Sequence, residues 1–204
     1  DDACSADTTF FIAGLTESVL NYPNPVEVEL GESLAISPSI AAFNNPLDPD
    51  SIFWTPIDDL TFGSDPLSPT VSPIDDMTYL VEAYDINGCY ISAELIIEVD
   101  KNRNIYIPNI FTPNGDGFNS IFQPIAGVGV KSMNYFRVYD RWGSMLHERL
   151  NVEGNELSFE NPAVAWDGKF KGREVSQGVY VYLAEIEFLD GRVLLYRGDV
   201  TLVK

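Results

Sequence analysis

A chain of 204 residues, 45% hydrophobic and 12% aromatic, has the length of one large or two small domains and enough apolar side chain for real cores. Its net charge of -19 is unevenly placed: residues 1–100 hold 12 Asp and 7 Glu with no Lys or Arg, and the first bases are Lys101 and Arg103. The acidic half would repel nucleic acid and anionic lipid, and no apolar run reaches the roughly 18–20 residues of a membrane-spanning helix, so neither nucleic-acid binding nor membrane insertion is expected.

The start, Asp1-Asp2-Ala3-Cys4, is neither basic nor apolar, so no signal peptide is expected in it and the chain reads as a mature or truncated piece of something longer. Cys4 and Cys89 lie far apart without metal-ligand spacing. If an extracellular setting joins them, the closed loop stabilises the first half by about 4–5 kcal/mol. The other reading pairs Cys4 with a preceding module. Strand patterns follow at Val26–Leu30, Thr78–Glu82 and Ala93–Val99, where apolar and polar side chains alternate or nearly so. Phe53-Trp54-Thr55 places an indole in a central strand, as the core tryptophan of an immunoglobulin-like sandwich. The polar run Asp100-Lys101-Asn102-Arg103-Asn104 ends this pattern and changes the charge regime. It predicts a first domain over 1–100, a linker over 101–104 and a second domain over 105–204.

The second domain opens with Ile105-Tyr106-Ile107-Pro108, passes a turn-rich loop at 112–117, and continues with a strand at Tyr135–Tyr139. Its longest strand, Val179–Phe188, is predicted to put Tyr180, Tyr182, Ala184, Ile186 and Phe188 on one face, with Glu185 and Glu187 on the other. Asp190-Gly191 reads as a two-residue hairpin turn, Arg192–Val203 as the returning strand, and Gly198 as a bulge. No stretch sustains helical periodicity with caps. The fold class expected is therefore all-β, two tandem antiparallel β-sandwiches of immunoglobulin-like kind.

The residues that carry chemistry are few. With His147 the single histidine and no nucleophile elbow, phosphate loop or dinucleotide fingerprint, no catalytic constellation forms. The acid pairs Asp58-Asp59 and Asp75-Asp76 sit in Pro-rich turns and read as solvated loop charge. The chain is not expected to be an enzyme. Asn114, Asp116 and Asn119 alternate oxygen-bearing side chains around glycines, as short calcium loops do. The competing reading is a turn whose Asn and Asp bond their own backbone. Calcium is the one cofactor the sequence raises. Trp142 and Trp166 could form a sugar platform, but a Trp in a sandwich is more often core, and both are expected to be buried.

Five pieces in register resemble one family: Pro108–Gly117 (PNIFTPNGDG), Tyr139–Gly143 (YDRWG), Trp166–Gly168 (WDG), Gly178–Tyr182 (GVYVY) and Tyr196–Lys204 (YRGDVTLVK). They make residues 105–204 similar to the gliding-motility-associated C-terminal domain, the type B sorting domain of type IX secretion substrates of Bacteroidetes. The residues that carry the resemblance are Asn114, Gly115, Asp116, Gly117, Arg141, Trp142, Gly143, Trp166, Asp167, Gly168, Gly178, Tyr180, Tyr182, Arg197, Gly198 and Lys204. Asn119 stands where the family commonly has Asp, and Ser176-Gln177 where it usually has a proline before Gly178. The first half looks like the PKD-like or immunoglobulin-like repeats that precede such domains.

The resemblance implies the C-terminal part of a large adhesin-like surface protein, secreted and associated with the outer membrane. Its last domain would be a protein-read signal for export and anchoring, and the chain is expected to be monomeric. The implied partners are the type IX translocon and a PorP/SprF-like outer-membrane barrel. Arg141, Arg197 and Lys204 are candidate charged contacts, and an edge strand could pair by β-augmentation. The alternative is a glycan- or protein-binding adhesin module, with calcium as a candidate stiffener, in which Trp54, or Trp142 with Trp166, contacts glycan.

Overall fold

Period-two patterning dominates the chain, and the elements it builds are short strands closed by turns. The structure, a computed structural model, describes residues 19–41, 47–85, 88, 90–116, 118–157 and 161–204. Cys4, Cys89 and Gly117 lie outside the described residues, and the expected disulfide with them. Among the described residues the only helical element is one 3-10 turn, Gly154–Glu156. The fold is all-β, as the sequence predicts.

Among the described residues nine strands precede residue 101: β1 (Val19–Asn21), β2 (Val26–Glu29), β3 (Leu34–Ala35), β4 (Ser39–Ala41), β5 (Leu47–Thr55), β6 (Leu60–Thr61), β7 (Thr70–Val71), β8 (Met77–Asp85) and β9 (Tyr90–Asp100). They form a four-stranded sheet β2-β9-β8-β5, a three-stranded sheet β3-β7-β6 and a ribbon β1-β4. In β9 the buried Ile91, Leu95, Ile97 and Val99 alternate with exposed Ser92, Glu94, Ile96 and Glu98, the mark of a strand with one dry face. Trp54 is core, as expected. Tyr22, Phe62 and Tyr79 meet it edge-on at 5.6, 6.2 and 6.3 Å, and its Nε1–H donates to the Pro66 carbonyl at 2.8 Å. An indole buried with its one donor satisfied contributes hydrophobic free energy without a stranded polar group.

Nine more follow among the described residues: β10 (Ile105–Tyr106), β11 (Ile110–Phe111), β12 (Ile125–Ala126), β13 (Val130–Tyr139), β14 (Met145–Glu153), β15 (Lys169–Phe170), β16 (Arg173–Glu174), β17 (Gly178–Phe188) and β18 (Val193–Leu202). Five of them build one sheet in the order β11-β18-β17-β13-β14, flanked by the ribbons β10-β12 and β15-β16. Its pairs are antiparallel except β11 with β18, which run parallel. The β17 alternation is as predicted: Tyr180, Ala184, Ile186 and Phe188 are buried, Tyr182 is partly buried, and Val179 and Val181 face outward.

An irregular layer of rings covers the inner face rather than a second full sheet. Phe122 and Trp166 lie over Phe136, Tyr180 and Tyr182 and against Phe111 of the edge strand β11, with centroids 5.0 to 5.8 Å apart along the contacts Phe111–Phe122, Phe122–Phe136, Phe122–Tyr182 and Trp166–Tyr180. Backbone hydrogen bonds both ways between Phe122 and Trp166 tie that layer together. Each buried ring of this size contributes about 3 kcal/mol.

Three local expectations are corrected. The hairpin before β18 has three residues, Leu189 to Gly191, not two. Phe188 N–H donates to Arg192 O at 2.9 Å, and Gly191 takes the left-handed position (φ 76°) that such a loop requires. Gly198 is not a bulge, since β17 and β18 stay in register through Tyr182↔Gly198. Trp142 is not core but 83% exposed, because it sits at the tip of the β13–β14 hairpin, beyond the reach of the sheet's dry face.

The chain forms two compact units. The described residues of one fall within Asp1–Val26, Ala35–Val71 and Thr78–Ile96, and those of the other within Glu27–Leu34, Ser72–Met77 and Ile97–Lys204. The second unit thus includes Glu27–Leu34, Ser72–Met77 and residues 97–100 from before residue 101, as well as the linker predicted over 101–104.

Candidate interaction site at the motif-bearing end of the second unit

The loop after β11 is held by its own polar groups. Thr112 N–H donates to Asn119 O (2.8 Å) and Asn114 N–H to Thr112 O (2.8 Å). Asp116 accepts from Phe118 N–H on Oδ1 (2.9 Å) and from Asn114 Nδ2 on Oδ2 (2.8 Å). The Phe118 N–H bond, then the Asn114 amide, hold the Asp116 carboxyl below the usual aspartate range. Of the three calcium candidates, Asn114 and Asp116 meet, while Asn119 turns its amide to the Ile110 carbonyl at 3.0 Å from a left-handed backbone (φ 51°). Asp116 is the loop's one carboxylate, and each of its oxygens accepts a hydrogen bond from within the loop. Among the described residues no three Asp, Glu, His or Cys side chains converge on a cation position.

The turn after the buried Trp166 abuts this loop. Trp166 Nε1–H donates to Lys169 O at 2.9 Å, and Lys169 N–H to Asp167 Oδ1 at 3.1 Å. Gly168 sits at φ 75°, and a Cβ there would lie 2.9 Å from Pro113 Cγ and 3.0 Å from Leu202 Cδ1. Only glycine lets the loop, the turn and the end of β18 meet at that point. Val175 N–H then donates to Gly168 O at 3.0 Å, bringing the segment before β17 alongside.

The β13–β14 hairpin is built on Asp140, whose Oδ1 accepts from Trp142 N–H at 2.9 Å and Ser144 N–H at 2.8 Å. Those bonds, the Ser144 one first, lower the Asp140 pKa. With Gly143 left-handed (φ 83°), the loop presents Arg141 and Trp142 to solvent, the guanidinium 5.9 Å from the indole centroid.

These parts frame two depressions that share Val175. One, of about 380 Å³, is bounded by Pro113, Asn114, Asp167, Lys169, Glu174 and the C-terminal Lys204. The other, of about 200 Å³, is bounded by Asp140, Arg141, Trp142, Ser176, Gly178 and Tyr180. Lys204 Nζ pairs with Glu174 at 2.7 Å across the first. Asn114, Gly115, Arg141, Trp142, Asp167, Gly168, Gly178, Tyr180 and Lys204 are thus brought to one end. Trp166 is 1% exposed and supports that end from within. Tyr182 and Gly198 form a packing pair in the sheet, and Arg197 lies exposed along β18, so these three are not part of it. Sequence reasoning missed Glu174 and Val175, which carry no motif, and left Asp140 unassigned although it sits in the quoted YDRWG piece.

Residues 105–197 match the model of the CHU_C type IX secretion signal domain. Comparison with curated protein sequences gives no match. Among solved structures, dimeric latent PorU from Porphyromonas gingivalis aligns at 13% identity and TM-score 0.32, over 92% of this chain and 20% of PorU. The fibronectin(III)-like modules of Clostridium thermocellum CbhA align at 12% and 0.29, over 90% of this chain and 93% of theirs. Drosophila N-cadherin EC1-4 aligns at 9% and 0.34, over 91% and 49%. The chain spans about a fifth of PorU and about half of the N-cadherin fragment, and likenesses this remote carry no argument about function. Residues 105–197, which hold most of the five-stranded sheet and its motif-bearing loops, are thus similar to the type IX secretion signal domain family.

Proposed function

We propose that the second unit directs type IX export as a folded surface, and that the surface read is the end where its motif loops meet. The observation that carries this reading is the convergence of segments near 114, 141, 167, 178 and 204 on two joined depressions, beside a Trp142 that is 83% exposed. An exposed indole flanked by arginine adds nothing to a core, and these are the residue types that anchor protein interfaces. The readers are the outer-membrane translocon and a PorP/SprF-like barrel, which would also hold a monomeric, adhesin-like parent protein at the surface of a gliding bacterium of the Bacteroidetes. The acidic first unit is a spacer, and no catalysis is assigned to either unit.

The test fuses residues 105–204, and separately 1–204, to a fluorescent cargo in cells with and without a working type IX system. Delivery to the surface or medium only where the system works supports the reading. Retention of both fusions in the periplasm of competent cells overturns it.

One observation favours a second reading. Trp142 lines the 200 Å³ depression and is 83% exposed, so its indole is open to stacking on a sugar ring, whereas Trp54 (8% exposed) and Trp166 (1%) are closed to ligand. Binding on a glycan array that Trp142→Ala abolishes would support it, and an array without signal would remove it.

A further inference from the structure

The last strand has an open edge. In β17–β18, Phe188 N–H bonds Arg192 O, which fixes the pairs Ile186/Leu194, Ala184/Tyr196 and Tyr182/Gly198 as the hydrogen-bonded ones. The alternate residues Val193, Leu195, Arg197 and Asp199 therefore turn their N–H and C=O groups away from β17. Thr201 and Val203, next in that alternation, meet the chain again by donating to Asn109 O at 2.8 Å and Phe111 O at 3.1 Å. No such partner exists for Val193 to Asp199 among the described residues, because β11 covers only Thr201 and Leu202.

Pro108 explains why the cover stops. In the parallel register Ile110↔Thr201, position 108 would face Asp199, and proline has no N–H for a ladder. The chain leaves the edge there, and β10 pairs with β12 instead. The opposite edge, β14, is broken by a register shift at Val138/Tyr139 and by the left-handed Asn151 (φ 51°), which blunt strand addition. The β18 edge has neither device. Its Val193 and Leu195 are 47% and 52% exposed, and Arg197 has no ion pair among the described residues.

Resting on the export reading above, we propose that the outer edge of β18 from Val193 to Asp199 takes up one extended strand of the protein that reads the signal. A row of donors and acceptors spaced at alternate residues is the template that an incoming strand completes. The side chains define its chemistry: apolar residues beside Val193 and Leu195, and an acid beside Arg197. A second copy of this chain fits less well. Antiparallel self-pairing about Tyr196 would set Leu195 against Arg197 and Val193 against Asp199, leaving the guanidinium without an acid. Self-pairing about Gly198, which would set Arg197 against Asp199, would need the outward groups of Thr201 and Val203 that already bond Asn109 and Phe111.

The experiment uses the full chain fused to cargo in type IX-competent cells. Leu195→Pro removes only an outward N–H, so the hairpin keeps its bonds, and far-UV circular dichroism and melting confirm the fold. The expected result is a fall of about tenfold or more in surface delivery, a loss of more than about 1.4 kcal/mol in recognition, with a similar fall for Arg197→Glu. Wild-type delivery by both folded variants overturns the proposal while leaving the export reading standing. Failure of the unmutated chain to leave the cell removes the export reading and the inference with it. If Leu195→Pro melts the strand, Leu195→Lys, which leaves the backbone intact, takes its place beside Arg197→Glu. A wild-type dimer on size exclusion that Leu195→Pro splits assigns the edge to a second copy and also overturns the proposal.

Discussion

The ring of Tyr182 lies across Gly198 on the neighbouring strand, so closely that a Cβ at 198 would come 2.7 Å from Tyr182 Oη and 3.0 Å from its Cε1 and Cζ. The ring is also edge-on to Phe122 at 5.5 Å and has little room to retreat. A strand glycine covered by a cross-strand aromatic keeps its partner packed and its backbone dry. Gly198→Ala, which would ordinarily favour a strand, is expected to destabilise by about 1–3 kcal/mol through overpacking. Urea unfolding reads the effect, and pairing the change with Tyr182→Ala should remove most of the penalty.

The two tryptophans of the second unit should separate stability from recognition. Trp166→Ala removes a buried ring and its bond to Lys169 O, and is expected to cost about 3–5 kcal/mol. Trp142→Ala should leave the melting curve unchanged, because the indole is largely in water, yet reduce delivery of a fused cargo. A Trp142→Ala protein that is delivered normally would place the read surface elsewhere.

His147 is the chain's one histidine, so its titration can be followed as a single proton resonance. Burial first of all lowers its pKa from 6.5, against the opposing bond between Nε2 and Val164 O at 3.0 Å. With the folded value below the unfolded one, the unfolded chain binds the proton more readily. Stability is therefore expected to be full above about pH 6.5 and to decline as pH falls through the folded value. His147→Gln should flatten that limb of a melting-temperature profile.

The carboxyls of Asp116 and Asp140 are both lowered from 3.8 by hydrogen bonds that hold their loops, with Phe118 N–H leading for the first and Ser144 N–H for the second. Their contribution is present above the unfolded value and is lost as pH falls through the folded one. Amide exchange at Phe118 and at Trp142 or Ser144 should therefore stay slow down to about pH 4 and accelerate below it, after correction for intrinsic rates. Asp140→Asn should raise exchange at Trp142 and Ser144 without touching Phe118.

Much of the architecture was legible because strand faces follow a period of two. The alternation in Val179–Phe188 places Tyr180, Ala184, Ile186 and Phe188 inward without reference to any other part of the chain. The left-handed glycines at 115, 143 and 168 stand in sequences that read as turns. Trp142 and Trp166 show the limit. Both sit beside glycine, and the local pattern does not say which belongs to a hairpin tip and which to the layer over the sheet. Gly198 is a second case, since a strand glycine marks a bulge or a close approach, and only the position of Tyr182 separates the two.

The sequence by itself determined the all-β class, the charge boundary near residue 100, the final hairpin and the family resemblance of residues 105–204, because composition, alternation and motif order are local properties. Only the tertiary structure decided that loops near 114, 141, 167 and 178 share one end with Lys204, that Trp142 is presented rather than buried, and that the last strand keeps an open edge. Those outcomes depend on which strands pair and on where Pro108 breaks the ladder, and strand pairing is a relation between distant segments that no single segment encodes.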